Sequence, residues 1–519
     1  AKPKTADDRL HAPIDPTADD LLPPPDGGYG WAIVAASFCC NVVVDGIGYC
    51  FGVFLTAIAA HYGASKGETA WVGSILAGST MCAGPVAGAL ANRFGCRAVC
   101  IAGGIVGAAA FALSMYCPTL TSLMFVYGFI GGTGFGLIYL PAVVCVGYYF
   151  ESKRSLATGI SVCGSGFGAF AFAPLGTYLL DRYGWQGANL CLAGLILCCV
   201  VFGAVMKPLE VAQKVSTVPL ERIPSKQLLP RNNTFSGWQN NGPNAPYISN
   251  LSLNRRKGSV VPPMTRKDVF YSGSILNLKE FQSQKSLHDY RQSIRTKKKT
   301  RSESSCLSQL LDLSLLKDPV FLTLGISNIF AMAAVYIPFV YLVDCAKADG
   351  IEAGKASFLI SIIGIVNTVS RIGFGYIADF PSVSSFQVNN VCLCVAAASL
   401  GLAPFCHTYL TYTVMAVFFA AAMAGYISLT SIILVDLLGL DKLTDAFGLI
   451  ILFRGFAAFV GSPAAGMIYD ATASYDVPFY VAGGLFAVAA IVSFSVPCFV
   501  KKSAEGDRDE SLVPMNERV

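Results

Sequence analysis

The sequence contains little charge. Lysine, arginine, aspartate and glutamate together make up 13% of its 519 residues, about half of the roughly 25% that is usual in soluble domains. Hydrophobic residues make up 54%. Because so few charged side chains are available to face water, this composition excludes an ordinary water-soluble fold and favours a membrane protein.

Groups that carry out catalysis or bind metals are also scarce. None of the four histidines lies in the middle of an apolar segment. Most of the 18 cysteines lie inside apolar segments, and the single Cys-x-Cys pair, Cys392 and Cys394, has no second such pair, which favours buried thiols over disulfides or a zinc site. The sequence contains no zinc-ligand motif, catalytic triad or phosphate-binding loop. We therefore expect neither an enzyme nor a cofactor, and no nucleic-acid partner.

Long apolar segments, in contrast, are abundant. A membrane-spanning helix needs about 20 predominantly apolar residues, and twelve segments approach or exceed that length, six before a long polar segment and six after it. The sequence therefore predicts an all-α membrane protein with twelve transmembrane helices. The segments cover residues 31–58, 69–91, 98–116, 121–147, 156–180, 186–206, 320–343, 356–378, 388–406, 411–436, 446–469 and 478–500.

The long polar segment divides the chain into two halves. It is rich in serine, asparagine, proline and lysine and has little to pack, which is typical of a disordered loop. A weak repeat relates the halves, because Pro174 precedes Asp181 by seven residues and Pro463 precedes Asp470 by seven. Such repeats are typical of transporters with a site between two bundles. The predicted parts are an N-terminal tail (1–28), a six-helix bundle (29–206), a basic loop (207–317), a second six-helix bundle (318–500) and a C-terminal tail (501–519).

The distribution of basic residues predicts the orientation in the membrane. The 207–317 loop holds 19 of the 37 lysines and arginines, and basic loops mark the cytoplasmic side. Since an even number of spans returns the chain to the side where it started, we expect both termini to be cytoplasmic as well. Tyr29 and Trp31 follow a proline-rich tail, and aromatic rings in such a position are favoured at the membrane surface.

Three charged residues stand out within the predicted spans: Asp45, Arg371 and Arg454. A charged group near the bilayer centre costs about 2.5–3.5 kcal/mol on insertion scales, so it usually faces a cavity or a partner. Asn41, Asp45 and Tyr49 are spaced four residues apart and share one helix face. We predict that this polar stripe lines a pore, with a structural Asp–Arg pair between helices as the alternative.

An arginine in an apolar passage indicates the kind of cargo. Its guanidinium group stays charged and matches a carboxylate through two parallel hydrogen bonds. We predict that Arg371, with Asn367 on the same helix face, binds the carboxylate of a small organic anion while aromatic side chains contact its apolar part. Arg454 lies about two turns from the predicted cytoplasmic end of its span, which favours a gating or structural role.

Three motifs resemble those of the monocarboxylate transporter family of the major facilitator superfamily. DGGYGW at 26–31 resembles the family signature that opens span 1, and YFESKRSLATGISVCGSGFG at 149–168 resembles its second signature. NRFGCR at 92–97 resembles the superfamily's gate loop between spans 2 and 3. The resemblance implies two six-helix bundles that rock about a central site. It also implies residence in the plasma membrane and, in some members, a single-span glycoprotein partner.

The gate-loop motif has a counterpart in the second half. Gly88 precedes Asn92 and Arg93 after span 2, and Gly375 precedes Asp379 by four residues after span 8. We predict gating or structural roles for Asn92, Arg93 and Asp379.

The resemblance also implies a role for Arg371, which matches the span-8 arginine that binds the substrate carboxylate in the family. Two positions differ from the proton-coupled lactate carriers: Asn367 replaces an aspartate, and Tyr49 replaces a lysine. An amide does not exchange a proton, and a phenol with a pKa of about 10 is a poor substitute for a titrating lysine. We therefore predict a facilitative carrier, unless Asp45 has taken over the proton.

The leading prediction is a carrier that moves a monocarboxylate or related small amphiphile by alternating access. Family members with such departures are associated with aromatic amino acids, thyroid hormones, creatine or carnitine. A zwitterionic substrate needs an acid opposite its cation, and Asp45 is the candidate. A non-transporting sensor that signals through the large loop is an alternative of a different class.

Overall fold

The computed structural model describes most of the apolar part of the chain and little of the tails and central loop. Among the described residues the secondary structure consists of helices and turns, without a strand. The predicted gating residue Asp379 lies outside the described residues. The structure describes residues 27–150, 154–207, 271, 313–378, 383–439 and 442–512.

Ten continuous helices and one bent pair are long and apolar enough to cross a membrane. A break at Gly184, where φ is 68°, divides one of the ten into two spans, so the predicted twelve transmembrane helices are confirmed. The helices are α1 (Tyr29–Tyr62), α2 (Lys66–Cys82 and Gly84–Phe94), α3 (Cys96–Ser114), α4 (Leu120–Tyr149), α5 and α6 (Arg154–Val205, before and after Gly184), α7 (Pro319–Ala348), α8 (Ala353–Ala378), α9 (Ser385–Gly401), α10 (Tyr409–Leu438), α11 (Leu443–Thr472) and α12 (Asp476–Leu512).

Local sequence sets the turn between α1 and α2. Gly63 adopts a left-handed conformation with φ 62° and ends α1, as glycine commonly does at helix C-termini. Two residues later, the Ser65 side chain accepts a hydrogen bond from the backbone of Glu68, and the Glu68 side chain accepts one from the backbone of Ser65. This capping box satisfies backbone donors that the first turn leaves unpaired. The turn therefore places Lys66 at the first position of α2.

Glycines bring the helix backbones close together. A Cβ atom on Gly168 of α5 would lie 2.9 Å from the Cα atom of Gly46 in α1. A Cβ atom on Gly364 of α8 would lie 2.6 Å from the backbone nitrogen of Phe170 in α5. Small residues at such crossings let membrane helices pack closely, and here they join α5 to helices of both halves.

Helices α1–α6 form the first half of the molecule and α7–α12 the second. We name the face at which α1 begins and α12 ends the terminal face, and the opposite one the distal face. The halves meet along α1 and α7, α2 and α11, and α5 and α8. In the α5–α8 contact, Thr177 donates a hydrogen bond to Ser357 at 2.9 Å, and Ser361 donates to the carbonyl oxygen of Phe170 at 2.9 Å. These bonds join the halves on the distal side of the bilayer centre.

Candidate substrate site

A cavity of about 240 Å³ lies between the two halves, lined by residues of α1, α2, α4, α5, α7, α8, α10 and α11. At one end it reaches Tyr49 and Tyr336, near the middle of α1 and α7. At the other end it reaches Thr158, Gly375 and Phe447, each about one turn from the terminal-face end of its helix. The cavity therefore extends from the middle of the molecule toward the terminal face, and concave sites of this kind suit a small molecule.

Three charged residues line this cavity: Asp45 of α1, Arg371 of α8 and Arg454 of α11. Both guanidinium groups are largely buried, since the arginines are 7% and 6% exposed. Among the described residues none of the three belongs to an ion pair. Tyr139 of α4 lines the same cavity. The first half contributes the carboxylate and the second half both positive charges.

An uncharged neighbour orients Arg371. Its Nε atom donates a hydrogen bond to Oδ1 of Asn367, one turn earlier on α8, at 2.7 Å. The Asn367 amide in turn donates to the carbonyl oxygen of Ala420 in α10 at 3.4 Å. Within the described part of the chain, the two Nη groups of Arg371 have no hydrogen-bond partner. This arrangement fixes the guanidinium group on the cavity wall and leaves both Nη groups without a described partner; two such parallel donors match the geometry of a carboxylate.

Arg454 is held more completely. Its Nε atom donates to Oδ1 of Asn328 in α7 at 2.9 Å, and its Nη2 atom donates to Oγ1 of Thr430 in α10 at 2.6 Å. The guanidinium carbon lies 4.7 Å from the ring centroid of Tyr426, a favourable cation–π geometry. All of these partners are uncharged and belong to the second half, so Arg454 keeps its positive charge and adds it to the cavity. The gating or structural role stays a prediction, now for a residue on the cavity wall.

The polar stripe of α1 divides between the cavity and a helix contact. Asp45 and Tyr49 line the cavity, and the Tyr49 ring stacks on Phe339 with centroids 4.4 Å apart. Asn41 does not line it: this residue is 1% exposed, and its amide donates to the carbonyl oxygen of Ser161 in α5 at 3.2 Å. Each four-residue step turns about 40° around a helix and moves about 6 Å along it, so the step from Asp45 to Asn41 takes the stripe from the cavity to a packed contact.

Two tyrosines that the sequence did not single out also line the cavity, Tyr139 of α4 and Tyr336 of α7. The Tyr336 ring lies 6.1 Å from that of Tyr49. Each of the two stands two residues before a proline inside its helix, Pro141 or Pro338. The proline two residues later was the only feature of the sequence that could have pointed to these tyrosines as cavity residues. In other respects an uncharged aromatic residue in an apolar span resembles a core residue.

The predicted gate-loop residues lie away from the cavity wall. Asn92 and Arg93 are near the terminal-face end of α2, and the Arg93 guanidinium carbon lies 5.3 Å from the ring centroid of Phe94. Gly95, with φ 84°, makes the turn into α3. Their gating or structural role stays a prediction, since the other half of the expected gate includes Asp379, outside the described residues.

On the distal side the cavity ends where the halves approach closely. A Cβ atom on Gly52 of α1 would collide with the carbonyl oxygen of Phe339 in α7. A Cβ atom on Gly67 of α2 would lie 2.7 Å from the backbone nitrogen of Met467 in α11. Backbone contacts of this kind leave no passage between these helices. The structure therefore shows a state in which the cavity is closed toward the distal face.

Comparisons with known proteins agree with this architecture. The family model of the Major Facilitator Superfamily matches residues 37–419. A crystal structure of a mutant of the nucleoside transporter NupG is similar with a TM-score of 0.60, covering 90% of this chain and 100% of that one. At 11% identity, this likeness concerns the fold alone. Fold and family match together define a membrane transporter of the Major Facilitator Superfamily.

Sequence relatives narrow the assignment. Mouse monocarboxylate transporter 14 is 31% identical, and the match covers 92% of each chain. Human monocarboxylate transporter 14 is 30% identical over 91% of each chain. Zebrafish (Danio rerio) monocarboxylate transporter 12-B is 27% identical over 91% of this chain and 88% of that protein. The chain therefore belongs to the monocarboxylate transporter family, and the family and fold class predicted from the sequence are confirmed.

Proposed function

We propose that this transporter moves a small organic anion across the membrane by alternating access, with Arg371 binding the anion's carboxylate. The observation that carries the proposal is the state of the Arg371 guanidinium group. Asn367 holds its Nε atom at 2.7 Å, and no carboxylate among the described residues pairs with it. A buried cation that is oriented but unpaired is a binding group for an anion.

The charge balance of the cavity supports an anionic cargo. Arg371 and Arg454 contribute two positive charges, and Asp45 contributes one negative charge when ionised. In a low-dielectric passage the excess positive charge lowers the cost of taking a carboxylate out of water. Apolar side chains on the wall, such as Phe135 and Phe447, contact the uncharged part of the same molecule.

We further propose that transport is facilitative and does not use the proton route of the lactate carriers. The amide of Asn367 serves Arg371 as a hydrogen-bond acceptor and carries no titrating proton. Tyr49 packs its ring on Phe339 in the place of the family's lysine. Asp45 is the carboxylate that lines the described cavity, so any coupling to protons would pass through this residue.

A zwitterionic cargo, such as an amino acid or a creatine-like, carnitine-like or thyroid-hormone-like compound, is the second candidate. Asp45 lies within electrostatic range of Arg371 and has no hydrogen-bond partner among the described residues. The ammonium group of such a cargo would complement Asp45 of the first half, and its carboxylate would complement Arg371 of the second half. The variant Asp45→Asn distinguishes the two candidate cargoes. If the cargo is zwitterionic, this variant reduces transport of substrates that carry a cationic group and leaves transport of simple carboxylates unchanged.

We propose that the terminal face is cytoplasmic and that the protein resides in the plasma membrane. The 207–317 segment, with 19 of the 37 basic residues, connects the end of α6 to the start of α7 at that face, and basic loops face the cytoplasm. In this orientation the cavity opens toward the cytoplasm. A single-span glycoprotein partner stays a prediction from the family resemblance.

The test is uptake of a labelled panel into proteoliposomes with and without a pH gradient. The panel contains short monocarboxylates, aromatic amino acids, creatine and carnitine. We expect Arg371→Gln to reduce uptake of the transported anion about 100-fold or more, since a charge-assisted hydrogen-bonded group costs about 3 kcal/mol when lost. Arg371→Lys keeps the charge without the planar fork and is expected to recover only part of the uptake.

Three results would overturn the proposal. Uptake by Arg371→Gln equal to that of the wild-type protein would remove Arg371 from the site. Accumulation driven uphill by a proton gradient would exclude the facilitative mechanism. Binding of a panel compound without any flux would favour the sensor.

A further inference from the structure

The contact that closes the distal side is centred on one lysine. Lys66, at the first position of α2, has its Nζ atom 3.6 Å from Oδ2 of Asp344 in α7. The two side chains are 24% and 7% exposed. The same Nζ atom donates a hydrogen bond to Oη of Tyr475, between α11 and α12. One cation of the first half therefore holds two separate parts of the second half.

The Asp344 carboxylate also accepts a hydrogen bond from a second residue of the first half, Thr56. The Thr56 hydroxyl of α1 lies 2.8 Å from Oδ2 and 3.0 Å from Oδ1 of this carboxylate. Because the hydroxyl and the ammonium group come from two different helices of the first half, the carboxylate ties both α1 and α2 to α7. A buried acid with these partners keeps its charge compensated.

The first turn of α2 adds a contact with α11. The backbone nitrogen of Gly67 donates to Oδ2 of Asp470 at 2.9 Å, at a helix N-terminus where a carboxylate is favoured. The rings of Tyr469 and Tyr475 stack 4.3 Å apart, and Lys66 Nζ lies 4.6 Å and 4.9 Å from their centroids. The ammonium group thus lies beside this pair of stacked rings and close to the Asp344 carboxylate. We name these residues the distal lock: Thr56, Lys66, Gly67, Asp344, Tyr469, Asp470 and Tyr475.

The neighbouring charges strengthen this arrangement. Burial, together with the nearby Asp344 carboxylate, raises the pKa of the Tyr475 phenol. The phenol therefore stays neutral, and its oxygen accepts the hydrogen bond from the protonated lysine. A partly buried set of charge-assisted bonds is worth more than an isolated surface ion pair.

We propose that Lys66 is the gating residue of the distal side: its bonds to Asp344 and Tyr475 hold the halves together there and must break before cargo is exchanged at the distal face. Each of these bonds joins the first half to the second, so separation of the halves breaks them together. The consequence for transport rests on the proposed alternating-access function. The lock itself is a property of the conformational equilibrium and is measurable without a substrate.

The experiment measures how fast a cysteine in the distal contact reacts with a membrane-impermeant thiol reagent added from the distal side. Ser357→Cys is a near-isosteric reporter, because Ser357 is 1% exposed and bonds to Thr177 across the halves. The parent protein without this substitution gives the background from native cysteines. In the Ser357→Cys protein, we expect Lys66→Met to raise the labelling rate about 5- to 30-fold, the factor by which the loss of one such interaction shifts an equilibrium.

Matched variants separate the lock from a general loss of structure. Lys355→Met removes another lysine near the distal face. The ion pair of Lys355 with Glu352 lies entirely within the second half of the molecule, so this variant is expected to leave the labelling rate unchanged. Asp344→Asn is expected to raise the rate as Lys66→Met does. Lys66→Arg keeps the cation and is expected to stay within about threefold of wild type. Each variant's thermal midpoint in detergent is measured in parallel.

Unchanged labelling in both Lys66→Met and Asp344→Asn would overturn the proposal, as would an equal increase in Lys355→Met. If Lys66→Met does not fold, the exchanged pair Lys66→Asp with Asp344→Lys replaces it, and labelling slower than in Asp344→Lys alone supports the lock. The outcome is independent of the cargo. Faster labelling in Lys66→Met without any anion flux in the panel assay would support the distal lock and reject the proposed function. Anion flux with unchanged labelling would support the proposed function and reject the distal lock.

Discussion

At the scale of single residues, the neutral side chain of Asn367 determines the orientation of the charged Arg371 side chain in the cavity. Asn367 accepts the Nε hydrogen bond of Arg371 at 2.7 Å and so orients the guanidinium group without neutralising it. An aspartate at the same place would form an ion pair and compete with an incoming carboxylate. Under the proposed function, the amide therefore leaves the positive charge of Arg371 available to the cargo.

This gives a prediction for Asn367→Asp. At neutral pH the new carboxylate pairs with Arg371, and we expect anion uptake to fall about tenfold, equivalent to ~1.4 kcal/mol. Protonation of the carboxyl group at acidic pH frees Arg371 again, so uptake should rise as the pH falls. Initial rates in proteoliposomes with equal pH on both sides test this.

Asn367→Ala is the control, because it removes the acceptor without adding a charge. It should lower uptake at every pH and show no stimulation by acid. Full activity of Asn367→Asp at neutral pH would show that the side chain at 367 does not control Arg371.

Residue-level features were predictable from the sequence where a charge stood alone among apolar residues. Arg371 and Asp45 were found for this reason, and both line the cavity. Tyr139 and Tyr336 were not, because their side chains carry no charge in a helix that is apolar all round. Lys66 was not singled out either, since its partners Asp344 and Tyr475 lie hundreds of residues away in the sequence.

At the scale of helices, close crossings determine which spans pack together. Gly168 of α5 approaches Gly46 of α1 so closely that an added Cβ atom would lie 2.9 Å from the Gly46 Cα atom. The helix cannot move away freely, because α5 also contacts α8 on its other side. Extra volume at this crossing must therefore strain the packing.

We predict that Gly168→Val destabilises the protein by about 1–3 kcal/mol, the usual cost of overpacking a tight core position. The measurement is the thermal midpoint of the purified protein in detergent. Gly194→Val is the matched control, because Gly194 of α6 is exposed and a Cβ atom there would have nothing within 4 Å. Equal thermal midpoints for the two variants would contradict the prediction.

Helix number and approximate ends followed from the sequence because a bilayer sets the length of each apolar segment. The first span was predicted over 31–58 and is observed over Tyr29–Tyr62. The 44° bend of α2 and the break at Gly184 were not predicted. Apolar periodicity carries little information about such features, because spans that face lipid on one side and protein on the other are apolar on both.

At the scale of the whole molecule, the two faces differ: the halves are in contact on the distal side, and the cavity extends toward the terminal face. The halves meet on the distal side through the α5–α8 hydrogen bonds and the distal lock. Toward the terminal face, Thr158 of α5 and Gly375 of α8 line the cavity. One helix pair thus contains positions of opposite accessibility.

We predict that Thr158→Cys reacts with an impermeant thiol reagent from the terminal face at least about tenfold faster than Thr177→Cys does, a ratio equivalent to ~1.4 kcal/mol. Both positions are on α5, but Thr158 lines the cavity and Thr177 bonds to Ser357 across the closed contact. Labelling is followed by mass spectrometry against the parent protein. A transported anion should protect Thr158→Cys, and equal rates at the two positions would contradict the described closure.

The placement of the cavity charges has a consequence for how selectivity can diverge. Both guanidinium groups belong to the second half, and each is fixed by partners within that half. The acid and two of the cavity tyrosines, Tyr49 and Tyr139, belong to the first. Under the proposed function, the groups that bind the carboxylate therefore lie in the second half, while Asp45, Tyr49 and Tyr139 of the first half face the rest of the cargo. Exchange of side chains in α1 and α4 can retune which molecular body is accepted, while the anchor for its acidic end remains untouched.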